Sequence, residues 1–242
     1  MYGWRARIGS IAATPTDIFP YEFYQIVPKG LSLMPGSLSI PQVKEKDLKE
    51  GFDAIESVAM ALAREGADAI ILGGAPMLYS QGAGSDRVLS ERISKATGVP
   101  AVSNQTAMID ALKALDVEKV LIASPFVKQT NEKLKAFLVD SGLNVVAMGG
   151  YGLVKNADIN QITRQQAYHF VKTTFQKNQH LGIQGILMPC ANWPTSLLAE
   201  QWETDLEVPV VTSNLAKIWG ALRALEIKDK ITGFGSLLRT KL

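Results

Sequence analysis

The sequence predicts an α/β fold of two pseudo-symmetric lobes, each with a mainly parallel sheet flanked by helices. Two observations support this fold class. Short β-rich runs alternate along the chain with longer stretches of helical periodicity, as in α/β units. The chain also repeats itself, because residues 67–74 (ADAIILGG) align with residues 183–190 (IQGILMPC), which lie 116 positions later.

A second pair of segments extends the repeat. Residues 99–115 (VPAVSNQTAMIDALKAL) align with residues 208–225 (VPVVTSNLAKIWGALRAL), with a one-residue shift inside the helix. The alternative is a chance likeness between two hydrophobic strand-helix units. In the repeat, Gly74 and Cys190 take equivalent places at the carboxyl end of a strand. Ligands bind at such ends in open α/β sheets, so we expect an active-site cleft between the lobes.

The periodicity defines the elements in order. Eight strands are predicted in the segments RIGSIAA, LSLMPGSLS, DAIILGG, PAVSN, KVLIAS, NVVAMGG, GILMPC and PVVTSN. Amphipathic helices are predicted in residues 49–64, 86–97, 106–115, 129–141, 163–176, 194–204 and 215–225. We assign residues 1–104 to the first lobe and residues 105–213 to the second, and expect residues 214–242 to pack back on the first.

Composition excludes several classes of protein. With 242 residues and 47% hydrophobic content, the chain can bury a large core. The 25 basic and 23 acidic residues nearly cancel, so neither a nucleic acid nor a membrane is expected as partner. No transmembrane segment is predicted. A single cysteine excludes an internal disulfide and favours a cytoplasmic location.

Cys190 is the candidate reactive residue. It follows the apolar run GILM, and Asn192 as a cap with Pro194 in the first turn predicts a helix start directly after it. A thiol near a helix N-terminus has a lowered pKa, which favours reactivity. The alternative is a buried cysteine that only fills space.

The other candidate residues suit the binding of a ligand rather than a reaction with it. His169 and His180 lack partners at metal-ligand spacing, and no phosphate or dinucleotide loop is present, so no metal or nucleotide cofactor is expected. The glycine-rich segment 73–84 predicts a flexible loop, in which Met77, Leu78 and Tyr79 form an apolar lid or pack in the core. Small hydrogen-bonding residues such as Thr14 and Ser124 lie at strand ends, where helix capping is the alternative role.

Together these segments resemble the aspartate/glutamate racemase superfamily, and within it the branch of arylmalonate decarboxylase and maleate isomerase. The likeness spans nearly the whole chain. It is carried by RIGSIAATPT, DAIILGGAPMLYSQGA, ATGVPAVSNQTAMIDALKAL, VLIASPFVKQTNEKLKAFL, GILMPCANW and VPVVTSNLAKIWGALR.

The resemblance implies a mechanism with one thiol. Racemases of this superfamily place a cysteine in each lobe, whereas here the two positions are Gly74 and Cys190. That pattern is similar to arylmalonate decarboxylase, in which carbon dioxide leaves a malonate and a lone cysteine protonates the enediolate. By the same likeness, Gly74 leaves room for a substituent, while Phe126 and the segment from Met77 to Tyr79 enclose it.

The sequence differs from arylmalonate decarboxylase at the residues that bind the substrate carboxylate. Two hydroxyl residues after the glycine and a tyrosine bind the carboxylate there, whereas this chain has Ala75, Pro76 and Phe126. Each lost donor costs about 3 kcal/mol of transition-state stabilisation. Either other groups form a different anion site, namely the backbone at Ala75, Cys190 and Ala191 with Thr14, Ser124 or Asn192, or the substrate is less polar.

The expected function is therefore that of a cofactor-free, decarboxylase-like enzyme acting on a small, substituted malonate-type acid, with Cys190 as proton donor. Two alternatives stay open. One is a cis-trans or racemase-type isomerase of a small dicarboxylic acid that uses Cys190, and the other is a non-catalytic small-acid-binding relative. A monomer or a homodimer is expected.

Overall fold

The computed structural model of the protein describes residues 2–38, 45–73 and 84–242, with only the backbone described for 45–53. All eight predicted strands are present. They are β1 (Ala6–Ala12), β2 (Leu31–Ser37), β3 (Ala69–Leu72), β4 (Ala101–Ser103), β5 (Lys119–Phe126), β6 (Asn144–Leu153), β7 (Gly185–Met188) and β8 (Val210–Thr212).

The strands form two sheets of identical topology. The first has the order β2-β1-β3-β4 and the second has the order β6-β5-β7-β8, and all pairs are parallel. Strand β3 corresponds to β7 with the offset of the first repeat, and β4 corresponds to β8 in the second. The predicted α/β fold of two lobes is confirmed.

Helices flank both sheets. They are α1 (Ile18–Ile26), α2 (Glu45–Arg64), α3 (Ser85–Thr97), α4 (Asn104–Ala114), α5 (Lys128–Asp140), α6 (Asn156–Asn160), α7 (Arg164–Asn178), α8 (Ala199–Leu206), α9 (Ser213–Ala224) and α10 (Ser236–Thr240). Short 3₁₀ turns lie at Gln179–Leu181 and Ser196–Leu198. Within the described residues, no helix has both the length and the apolarity needed to cross a bilayer.

Helix α1 is an element that the sequence patterns did not predict. It contains Pro20, which is tolerated because a proline in the first helical turn removes no intrahelical hydrogen bond. The backbone N–H of Ile18 donates to the hydroxyl of Thr16 at 3.2 Å and so satisfies one free group of that turn. Phe19 and Phe23 are buried and bring this helix against the core.

The two halves meet at their equivalent helices. Helix α4 follows β4 and helix α9 follows β8, and the two helices pack on each other. Asn104 and Ser213, the first residues of these helices, are hydrogen bonded side chain to side chain at 3.0 Å. Helix α9 also contacts β3 and β4 of the first sheet. One buried cluster therefore includes residues of both sheets, among them Ile8 and Ile122.

Gly73 fixes the carboxyl end of β3. Its backbone N–H donates to the carbonyl of Ile11 on β1 at 2.8 Å. A Cβ on this residue would lie 2.5 Å from the same carbonyl oxygen. Because the neighbouring atom belongs to backbone, a larger residue would force the two strands apart.

We therefore expect Gly73→Ala to lower the free energy of unfolding by about 1 to 3 kcal/mol, the usual cost of overpacking a core. Urea denaturation measures the change. Gly98→Ala is the control, since its added Cβ would meet no atom within 4 Å and only its φ of +75° opposes the substitution. That control should lose about 1 kcal/mol. An unchanged midpoint for Gly73→Ala would contradict the packing of β1 on β3.

Candidate active site

Cys190 lies at the carboxyl edge of the second sheet. Strand β7 ends at Met188, which pairs with Thr212, the last residue of β8. Cys190 follows two residues later and is 7% exposed. The polypeptide thus places the thiol at the end of a strand, as the repeat predicted, and buries it almost completely.

The segment after Cys190 differs from the prediction. The backbone N–H of Trp193 donates to the carbonyl of Cys190 at 3.4 Å, which makes a turn rather than a helix start. Helical residues begin only with the 3₁₀ turn at Ser196, so the predicted helix start at Pro194 with an Asn192 cap is wrong. The physical reason is the indole of Trp193, which is fully buried and draws this segment into the core before the helix begins.

The pKa of the thiol follows from this environment. Burial raises the pKa of Cys190 to about 12, although the backbone N–H groups of Asn192 and Trp193 and the charge of Lys217 act to lower it. The lowered pKa expected from a helix N-terminus is therefore wrong. At neutral pH the side chain is a thiol that carries its proton, rather than a thiolate.

Glu22 on α1 joins the first lobe to the segment beyond Cys190. Its carboxylate accepts hydrogen bonds from the backbone N–H of Ser196 at 3.0 Å, from the Ser196 hydroxyl at 2.7 Å and from the Asn214 amide at 2.7 Å. The same amide donates to the carbonyl of Ala191 at 3.0 Å. Glu22 is 2% exposed, so these donors replace the water that a buried carboxylate loses.

Lys217 brings a buried positive charge to the same place. It lies on α9 and is 4% exposed, and its Nζ lies 3.6 Å from the centroid of the Phe19 ring. Burial lowers the pKa of Lys217 to about 7, while its electrostatic interactions with Glu22 and Cys190 act in the opposite direction. Burial also raises the pKa of Glu22, against the hydrogen bonds from Asn214 and Ser196 and the charge of Lys217.

Helix α6 is hydrogen bonded to two segments that contain predicted binding residues. One contains Thr14, and the other is the turn after Cys190. Asn156 donates to the hydroxyl of Thr14 at 3.3 Å. The Asn160 amide, oriented so that both its polar atoms are satisfied, donates to the carbonyl of Asn192 at 2.8 Å. Helix α6 therefore bridges the end of β1 and the turn after Cys190, which also contains Ala191.

Ser124 and Phe126 lie at the end of β5. The hydroxyl of Ser124 donates to the Asn131 side chain and accepts from the backbone N–H of Phe126 at 3.2 Å. Asn131 in turn donates to the carbonyl of Phe126 at 3.1 Å. Because its one hydroxyl proton is already engaged, Ser124 supports the strand end that carries the half-buried Phe126.

The other predicted substrate-binding residues lie outside the described residues. These are Gly74, Ala75, Pro76, Met77 and Tyr79. Gly73, directly before them, follows Leu72, the last residue of β3 in the first sheet.

Sequence reasoning missed Glu22 and Lys217, although each had a signal. Glu22 is the one charged residue of IFPYEFYQI, and Lys217 is the one charged residue of NLAKIWGAL. A lone charge within an apolar helical run marks a buried ionisable group that needs a partner. The partners lie far away in sequence, so only the folded chain shows them together.

The fold and the site together define a class of protein. The chain is a two-lobed α/β protein of the aspartate/glutamate racemase superfamily, with a single thiol at a strand end of the second lobe. It belongs to the arylmalonate decarboxylase family, whose sequence model matches residues 8–238. The resemblance stated from the sequence is thereby confirmed.

Individual relatives include two kinds of enzyme. Arylmalonate decarboxylase of Bordetella bronchiseptica is 28% identical over 220 residues, which cover 89% of both chains. Maleate isomerase of Geobacillus stearothermophilus is 20% identical over 204 residues, covering 82% of this chain and 80% of the relative.

Solved structures show the same fold. A liganded arylmalonate decarboxylase, in which a glycine is changed to cysteine and a cysteine to serine, matches with a TM-score of 0.88 at 24% identity, covering 96% of this chain and 98% of that one. A maleate isomerase of Pseudomonas putida with maleate matches with a TM-score of 0.89 at 18% identity, over 98% of both chains.

The hydrogen bonds of Glu22 predict a large effect on stability. Replacing Glu22 by leucine removes the acceptor of three buried hydrogen bonds from Ser196 and Asn214, and leaves the Ser196 backbone N–H without another acceptor among the described residues, so we expect the free energy of unfolding to fall by about 3 to 5 kcal/mol. Urea denaturation provides the measurement. The control Glu132→Leu removes an exposed glutamate and should change stability by less than about 1 kcal/mol. A loss at Glu22 no larger than in the control would contradict its role as the anchor of this site.

Proposed function

We propose that the protein is a cofactor-independent decarboxylase in which the Cys190 thiol protonates a carbanion or enediolate formed from a small, substituted malonate-type acid. The observation that carries the proposal is the burial of the Cys190 thiol just after the end of β7, where it is 7% exposed. Burial raises the pKa of Cys190 to about 12, so the group holds its proton at neutral pH. A held proton is what a general acid must supply.

The proposed reaction balances without a further reactant. The bond between the central carbon and one carboxyl group breaks, and carbon dioxide leaves. The electron pair stays on the substrate as an enediolate, delocalised into the remaining carboxylate. The S–H bond of Cys190 then breaks as its proton bonds to carbon, and the thiolate regains a proton from solvent.

The buried environment favours proton transfer from the Cys190 thiol to the enediolate. An enediolate is a far stronger base than a thiolate, so even a thiol of raised pKa gives up its proton downhill. The thiolate left behind is stabilised by the positive charge of Lys217 and by the backbone N–H groups of Asn192 and Trp193.

The relatives include both activities, and we favour the decarboxylase for two reasons. Arylmalonate decarboxylase is the relative with 28% identity, whereas the maleate isomerases are 20 to 23% identical. A maleate isomerase has been trapped with a covalently bound succinylcysteine. Such an adduct needs an attacking thiolate, which the raised pKa of Cys190 disfavours.

The test is the release of carbon dioxide from a panel of substituted malonates by the wild type, Cys190→Ser and Cys190→Ala. We expect both variants to lose about 10²- to 10⁴-fold in rate, the usual contribution of a general acid. Ser141→Ala, which removes a hydroxyl bonded to Phe137 on α5, is the matched control and should retain full activity.

Two results would contradict the proposal. One is a wild type that releases carbon dioxide from none of the acids, and the other is a Cys190→Ala variant as fast as the wild type. Mass spectrometry after incubation with maleate separates the isomerase alternative, because thiol addition leaves an adduct on Cys190 and protonation leaves none.

A further inference from the structure

The ammonium group of Lys217 is buried without an anionic partner in direct contact. Among the described residues it forms no hydrogen bond or salt bridge, and its nearest recorded contact is the ring of Phe19 at 3.6 Å. Buried ammonium groups are almost always paired, because the charge loses its water and has three donors to satisfy. Because the described residues offer its donors no acceptor, Lys217 indicates an anion that the site receives.

Its position points the charge toward Cys190. Helix α9 begins directly after β8, and helical side chains lean toward the helix N-terminus, which here is the carboxyl edge of the sheet. The charge interacts with Glu22 on α1 and with Cys190 after β7, the two titratable groups that face it. Glu22 already accepts three hydrogen bonds from Ser196 and Asn214, and it forms no hydrogen bond or salt bridge with Lys217.

Two buried polar atoms in the segments that carry Cys190 and Lys217 also lack a partner among the described residues. Within the described residues, Oδ1 of Asn214 and Nε1 of Trp193 have no hydrogen-bond partner. Asn214 lies three residues before Lys217 on the same helix, and Trp193 lies three residues after Cys190. Buried polar atoms without partners are rare in folded proteins, so each of these two indicates a polar group that the described residues do not supply.

We infer that the ammonium group of Lys217 is the anion-binding group of this site and holds the carboxylate that remains on the substrate when carbon dioxide leaves. The identity of that carboxylate rests on the proposed function, whereas the binding of a small carboxylate does not. Lys217 thereby replaces the hydroxyl donors that the family likeness would place at Ala75, Pro76 and Phe126. A charge-assisted bond in a water-poor site is stronger than the neutral bonds it replaces.

The pseudo-symmetry supplies a conservative test variant. Ser103 and Thr212 cap helices α4 and α9, so Met108 and Lys217 are both the fifth residue after the cap. Met108 is buried, and Lys217→Met therefore introduces the side chain that the equivalent position already holds. Lys172→Met is the matched control, because this lysine is partly exposed beside Asp205.

Calorimetric titration with phenylacetate, and with the uncharged phenylacetamide, measures binding without turnover. We expect the wild type and Lys172→Met to bind phenylacetate alike, and Lys217→Met to bind it at least about tenfold more weakly. Binding of the amide should be the same in all three proteins. Equal affinity of Lys217→Met and wild type for phenylacetate would overturn the inference, as would a wild type that does not bind the acid below about pH 7.

The pH dependence of the wild type tests the inference even if Lys217→Met folds poorly. Because the pKa of Lys217 is lowered to about 7, phenylacetate binding should weaken as the pH rises through this range and the ammonium loses its proton. Glu22→Gln removes a charge that raises the pKa of Lys217, so the weakening should move to lower pH. Binding that does not change between about pH 6 and 9 would overturn the inference. If phenylacetate binding depends on Lys217 but no substituted malonate releases carbon dioxide, the anion-binding site is supported and the decarboxylase proposal is refuted.

Discussion

The exclusion of water from three ionisable side chains is the constraint on which the rest of the site depends. Glu22, Lys217 and Cys190 are each less than a tenth exposed, and burial is the largest influence on the pKa of all three. Transfer of a charge from water into the protein interior is costly unless hydrogen bonds or an opposite charge compensate. Glu22 is compensated by three donors, Cys190 avoids the cost by staying protonated, and Lys217 finds no acceptor in the part of the chain that the structure describes.

The two-lobed fold brings these groups together from distant parts of the chain. Glu22 comes from a helix beside the first sheet, whereas Cys190 and Lys217 follow neighbouring strands of the second. The two halves share one topology, and the reactive and charged groups lie at positions where their residues differ. At the position where the second half carries Lys217, the first half carries Met108. The halves have thus kept one topology while only one of them provides the charge and the thiol at its strand end.

The sequence alone was sufficient for the architecture, because strands and their repetition are local signals. The segments ADAIILGG and IQGILMPC predicted both strands and their equivalence, and the sheets have the same order. The environment of Cys190 was not predictable in this way. Asn192 and Pro194 have the residue types of a helix start, but burial of the Trp193 indole prevails over that local preference. Helix α1 also escaped prediction, and with it Glu22, because a proline and four aromatic residues obscure its periodicity.

The central claim is that the thiol of Cys190 is protonated at neutral pH, and the most direct measurement is its S–H stretching band. The chain has a single cysteine, so an infrared difference spectrum between wild type and Cys190→Ser isolates that band. With a pKa raised to about 12, the band should persist through the neutral range and well beyond the ordinary thiol pKa of about 8.5. Loss of the band between about pH 7 and 9 would show a thiolate and contradict the account.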